Sequence, residues 1–164
     1  MALARSGRTA EADAELADLR ALLAGDALDG VTVWELNPGH ALLSIAERVL
    51  AGEIEASRGE TEAALIALRE GIVLEDALTY DEPPPWDLPV RHILGAVLLE
   101  TGRPAEAQAV YEAALVQFAD NGYALRGLEL SLEGQGKMRE AEEAGERLAM
   151  AWRAADVDLP GSRF

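Results

Sequence analysis

Apolar residues along the chain recur at steps of three and four, the spacing of one face of an α-helix. Between about 88 and 121 the pattern comes in two halves: Leu94, Val97 and Leu98, then Ala107, Val110, Tyr111, Ala114 and Leu115. Between 122 and 152 it returns as Leu125, Leu128 and Leu132, then Ala141, Leu148 and Trp152. Each half predicts one helix, and Asp120 and Asn121 are suited to cap the start of the later pair. The usage is skewed towards Ala, Leu, Glu and Arg, strong helix formers, so an all-helical class without strands is expected.

The two paired segments are copies at a fixed distance. Gly102-Arg103-Pro104-Ala105-Glu106-Ala107 returns as Gly136-Lys137-Met138-Arg139-Glu140-Ala141, and Leu94, Leu98 and Ala107 map onto Leu128, Leu132 and Ala141, all at an offset of 34. The same Gly-x-x-x-x-Ala turn stands upstream as Gly59 to Ala64 and Gly7 to Ala12. Glycine at the turn tolerates the positive φ that ends one helix, and the small alanine five residues later lets the second helix approach the first. Upstream, the spacing stretches to 52 and 43 residues, so insertions are expected at 26–39 and 79–88. The first carries Asp-Gly and Asn-Pro-Gly turn signals around Val31, Val33 and Trp34, with a helix starting near Gly39. The second holds Tyr80, Asp81, Glu82, three consecutive prolines and Trp86, and a proline run takes an extended path.

A 34-residue helix-turn-helix unit of this kind resembles the tetratricopeptide repeat family. The resemblance covers most of the chain, and from Gly59 onward it extends to the C-terminal part of longer bacterial proteins of that family. Those carry a similar Tyr-Asp-Glu-Pro-Pro-Pro-Trp segment and end in Ser-Arg-Phe, here Ser162-Arg163-Phe164. The family aromatic at the fourth position of the first helix is Arg91 or Leu125 here, and the closing proline is Ala119. The resemblance implies an all-α fold, a right-handed superhelix or α-solenoid of helix hairpins. It implies a single domain over 1–164: a partial repeat at 1–25, repeats at 40–78, 88–121 and 122–152, and a tail at 153–164.

Composition narrows the function. Thirty acidic residues against 14 basic give a net charge of -16, a field that repels phosphate backbones and anionic lipid and favours a basic partner. Nucleic acid and membrane are therefore not expected as partners. Cysteine is absent, which removes disulfides and thiolate chemistry. No apolar run reaches the roughly 18 residues of a membrane span, and the N-terminus reads as no signal peptide, so a cytoplasmic location is expected.

Candidate chemistry is sparse. His40 and His92 stand apart and read as helix-face residues; Glu140, Glu142, Glu143 and Glu146 read as a solvated face. No nucleophile paired with a base and no phosphate-binding loop is apparent, so neither a catalytic role nor a cofactor nor a metal is implied. In the resembled family ligands lie in a concave groove lined by the first helix of each pair. Carried over, that face holds His92, Ala96, Leu99 and Glu100 in one unit and Tyr123, Arg126, Leu130 and Glu133 in the next. The Lys and Asn pattern with which some members clamp chaperone tails is absent.

The expected function is a protein-interaction or assembly scaffold that takes a peptide or partner helix in this groove. The alternative is an accessory or catalytic domain holding a small molecule between groove and insertions. The ligand-binding candidates are Tyr80, Asp81, Glu82, Trp86, Arg91, His92, Tyr123 and Arg126, with Asp81 or Glu82 expected to pair with Arg91 and fix the insertion as a wall. At the N-terminus the stub 1–5 leaves a stripe of Ala12, Leu16, Leu19 and Leu23, to be covered by Val31 to Trp34 or by a second copy in a homodimer. The last helix is expected to end near Asp156, with Phe164 docked on the last helix pair.

Overall fold

The computed structural model describes residues 1–163. The helical spacing is realised as α1 (Ala2–Arg5), α2 (Thr9–Ala24), α3 (Gly39–Ser57), α4 (Thr61–Asp76), α5 (Val90–Glu100), α6 (Pro104–Gln117), α7 (Gly122–Glu133) and α8 (Met138–Ala151). Among the described residues the regular structure is helical apart from one 3₁₀ turn, Asp26–Leu28, and two minimal strands, β1 (Thr32–Val33) and β2 (Asn37–Pro38). It forms two compact units, Met1–Val90 and Arg91–Phe164. No helix of the described residues is long and apolar enough to cross a membrane.

All four predicted turns share one geometry. Gly7, Gly59, Gly102 and Gly136 have φ of 78°, 79°, 74° and 74°, a conformation closed to most side chains. The amide that follows each glycine reaches back to the preceding helix: Arg8 to Leu3 O, Glu60 to Glu55 O, Arg103 to Leu98 O and Lys137 to Leu132 O, at 2.8 to 3.0 Å. These are the bonds of a Schellman helix end. Five residues after each glycine, Ala12, Ala64, Ala107 and Ala141 are at most 4% exposed. Burial of an alanine at that point holds each helix against its predecessor, so the local sequence fixes a hairpin.

The first unit differs from expectation at two places. The upper half of the stripe on α2 is covered by helices rather than by the insertion: Ala12 and Leu16 pack in one cluster with Ala4 of α1, Ala51 and Ile54 of α3 and Ala67 of α4, while Leu19 and Leu23 stay half-buried. Val31 and Trp34 are themselves 45% and 53% exposed. The four residues of α1 contribute Ala4, 2% exposed, to this cluster, with Leu3 packed at its edge. The insertion also contains a strand pair where none was expected. Trp34 and Glu35 have φ of 51° and 60°, and Leu36 N bonds Val33 O, a tight turn that pairs Thr32 with Pro38 and Val33 with Asn37. Helix α3 starts at Gly39, where the turn signals placed it.

The second unit departs at its end. Helix α8 stops at Ala151 rather than near Asp156, although Arg153, Ala154 and Ala155 are good helix formers. Trp152 decides this. Its ring lies over Gly122, where a Cβ would stand 2.5 Å from Cε3, and its Nε1 donates to Val157 O at 2.7 Å, so the chain turns back. The expectation for Phe164 lies outside the described residues.

Candidate functional site

The turn at Trp152 sends residues 153–163 back along the second unit, on the face of α5 and α7 that the sequence assigned to ligands. The floor of this groove is built by Tyr111 of α6. Its ring passes between α5 and α7 at two glycines: a Cβ on Gly95 would lie 2.3 Å from Tyr111 Cζ, and one on Gly127 2.2 Å from it. No other residue leaves room for an aromatic ring between the helices. The slot delivers the phenol hydroxyl through the helix layer.

At the far side that hydroxyl meets Ser162, Oη to Oγ 2.5 Å, and Ser162 Oγ donates to His92 O at 2.9 Å. A serine hydroxyl carries one hydrogen, so Tyr111 is the donor to Ser162. Ser162 is 2% exposed, as buried as the core. Burial pushes the Tyr111 phenol up to about 12, against a smaller opposite effect of the Ser162 bond, which keeps it a donor at neutral pH. The next residue, Arg163, pairs with Glu100 at 2.5 Å, at the C-terminal end of α5 where the helix dipole also favours a cation.

The neighbouring walls are His92 and Tyr123, stacked at 6.1 Å between ring centroids, with Trp152 edge-on to Tyr123 at 5.7 Å. His92 is buried rather than surface-exposed, and desolvation pushes its imidazole down to about 4, so it is neutral at pH 7. Its Nδ1 and the Nε of Arg126 are buried without a hydrogen-bond partner among the described residues. Arg126 holds Glu129 through Nη1 at 2.7 Å.

No family model, no curated protein and no solved structure matches the chain.

The remaining candidates divide between the units. Arg91, His92, Tyr123 and Arg126 belong to the second unit, and the structure brings His92 and Tyr123 together. Tyr80, Asp81, Glu82 and Trp86 lie in the first. There the Tyr80 hydroxyl donates to the Glu82 carboxylate, Asp81 Oδ1 accepts from Glu82 N, and Trp86 Nε1 is buried with no partner among the described residues. The insertion is tied down by Asn37, whose amide donates to Thr79 O and accepts from Thr79 N, both at 2.8 Å. Glu140, Glu142, Glu143 and Glu146 are all exposed.

The first unit also has an open cleft of about 780 Å³ among α2, α3 and α4. Its wall carries Glu47, 4% exposed, which accepts from Arg20 Nε and Arg48 Nε at 2.8 Å each. Leu23 and Leu74 supply apolar surface, while neither Trp34 nor Trp86 lines it. Arg20, Glu47 and Ser162 were missed from sequence. For Ser162 no periodic signal exists; for Glu47 the only signal is its place in an apolar stretch of α3, between Ile45 and Val49.

Proposed function

We propose that the protein is a tetratricopeptide-type interaction module, an α-solenoid whose second unit binds an extended segment in the groove between α5 and α7. One observation carries this: a stretch of the chain's own backbone, Gly161 to Arg163, already lies there, with the Ser162 side chain buried and a cation paired at the rim. A groove that accepts its own tail has the width, hydrogen-bonding groups and charge for a peptide. The four hairpins of common turn geometry and the 34-residue period support the tetratricopeptide assignment, and the acidic surface supports a basic partner. A cytoplasmic location and protein partners follow from the same proposal.

Its test is selection of peptides from a random displayed library on the full chain, followed by rebinding to Tyr123→Ala and Arg126→Ala. Enriched peptides that lose affinity for both variants support the groove. No enrichment, or enrichment indifferent to both substitutions, contradicts it. The alternative, small-molecule binding, is favoured by the Arg20–Glu47–Arg48 cleft of the first unit; thermal-shift screening that stabilises wild type and not Arg48→Ala would identify it.

A further inference from the structure

We propose that the groove of the second unit selects an extended segment carrying a small hydroxylated residue followed by arginine, and that Ser162 and Arg163 occupy it in cis until such a segment displaces them. The inference rests on the interaction-module proposal and adds its specificity and its control. Two features make the hydroxyl a requirement. Ser162 is 2% exposed, with its hydroxyl enclosed between the Tyr111 hydroxyl and His92 O. Without a hydroxyl there, the Tyr111 O–H would be left buried with no acceptor, which costs more than the bond itself returns. The arginine requirement comes from the rim, where Glu100 and the C-terminal end of α5 present negative charge together. Arg163 has only 8% of its side chain exposed, so its guanidinium is held against the protein rather than solvated.

The tether is built to release. Residues 153–158 are all exposed and are held through backbone groups to Trp152, at Ala155 N and Val157 O, while the side-chain fastenings of the tail lie beyond them, at Leu159 beside Gly122, at Ser162 and at Arg163. Through so short a linker the tail has an effective concentration on the order of millimolar. A free segment making the same contacts must overcome that competition, so a partner with additional contacts engages and an unrelated basic peptide does not. The unpartnered Nδ1 of His92 and Nε of Arg126 are groups such a partner has available and the tail leaves unused.

The probe is a fluorescent synthetic peptide of residues 157–164, titrated against the full chain as wild type and as Ser162→Asp, which places a charge in the slot and evicts the tail. Arg163→Glu, which reverses the rim contact without touching the slot, gives a second tail-evicted chain should Ser162→Asp not fold. Binding to a folded evicted variant is expected at least about tenfold tighter than to wild type, because the tethered competitor is gone. Peptides with alanine for serine, or glutamate for arginine, are expected to lose most of that affinity. Folded variants that bind the peptide no more tightly than wild type overturn the cis latch. Tight binding that ignores both peptide changes overturns the hydroxyl-arginine specificity and leaves the interaction module standing. Failure of the variants to bind this peptide and any library-selected peptide overturns both.

Discussion

Tyr111 Oη and Ser162 Oγ, 51 residues apart in sequence, meet at 2.5 Å inside the second unit. The contact joins the floor of the helix layer to the tail that lies over it, so a change at either residue is felt by both. Tyr111→Phe removes a donor and leaves Ser162 still bonded to His92 O; it is expected to cost about 1 kcal/mol. Ser162→Ala strands the buried phenol and is expected to cost more, roughly 1 to 3 kcal/mol. Urea denaturation of the two single variants and the double variant measures this, and the double should cost less than the sum.

Gly95 and Gly127 exist as the slot for that ring. Alanine at Gly127 would put its Cβ 2.2 Å from Tyr111 Cζ, and a ring enclosed on both sides has nowhere to move. Overpacking of this kind is expected to cost about 3 kcal/mol. A second substitution, Tyr111→Leu, should recover part of the loss in the Gly127→Ala background, whereas the two losses would simply add if the ring and glycine were not in contact.

The arrangement of hairpins was legible in the sequence because the turn is local: a glycine that must adopt positive φ and an alanine that must be small are both visible within six residues. The tail was not, because one serine 70 residues from its acceptor leaves no period to find. Burial of His92 is legible in hindsight from its neighbours: Ile93, Leu94, Ala96, Val97 and Leu98 form an almost unbroken apolar run, the mark of a helix buried on every side rather than one with an open groove face. The end of α8 was misplaced because helix propensity favours 153–155, and the Trp152 contact with Gly122 overrides it.

Stability should depend on pH through His92. Its imidazole takes up a proton near pH 6.5 when unfolded and only near 4 in the folded protein. Between those values the unfolded state binds more protons, so stability is complete above pH 6.5 and falls as pH drops towards 4, by roughly 3 kcal/mol at the lower limit. Denaturation from pH 7 to 5 should show this fall in wild type and a shallower one in His92→Gln. Equal slopes would place the titration elsewhere.

Asn37 sets the order of the 79–88 segment. Its side chain is 2% exposed and takes both backbone groups of Thr79. Asn37→Ala is expected to cost about 2 kcal/mol, and Asn37→Asp more, since an acceptor would then face Thr79 O. Amide exchange at Thr79 should be slow in wild type and at least tenfold faster in either variant.

The occupied groove is the central claim, and nuclear Overhauser spectroscopy on the isotopically labelled full chain tests it directly. Cross-peaks between the Tyr111 ring protons and the Ser162 β-protons are predicted, together with heteronuclear relaxation at Ser162 matching that of the α5 helix. An absence of those cross-peaks, with relaxation at Ser162 typical of a free terminus, would contradict the account.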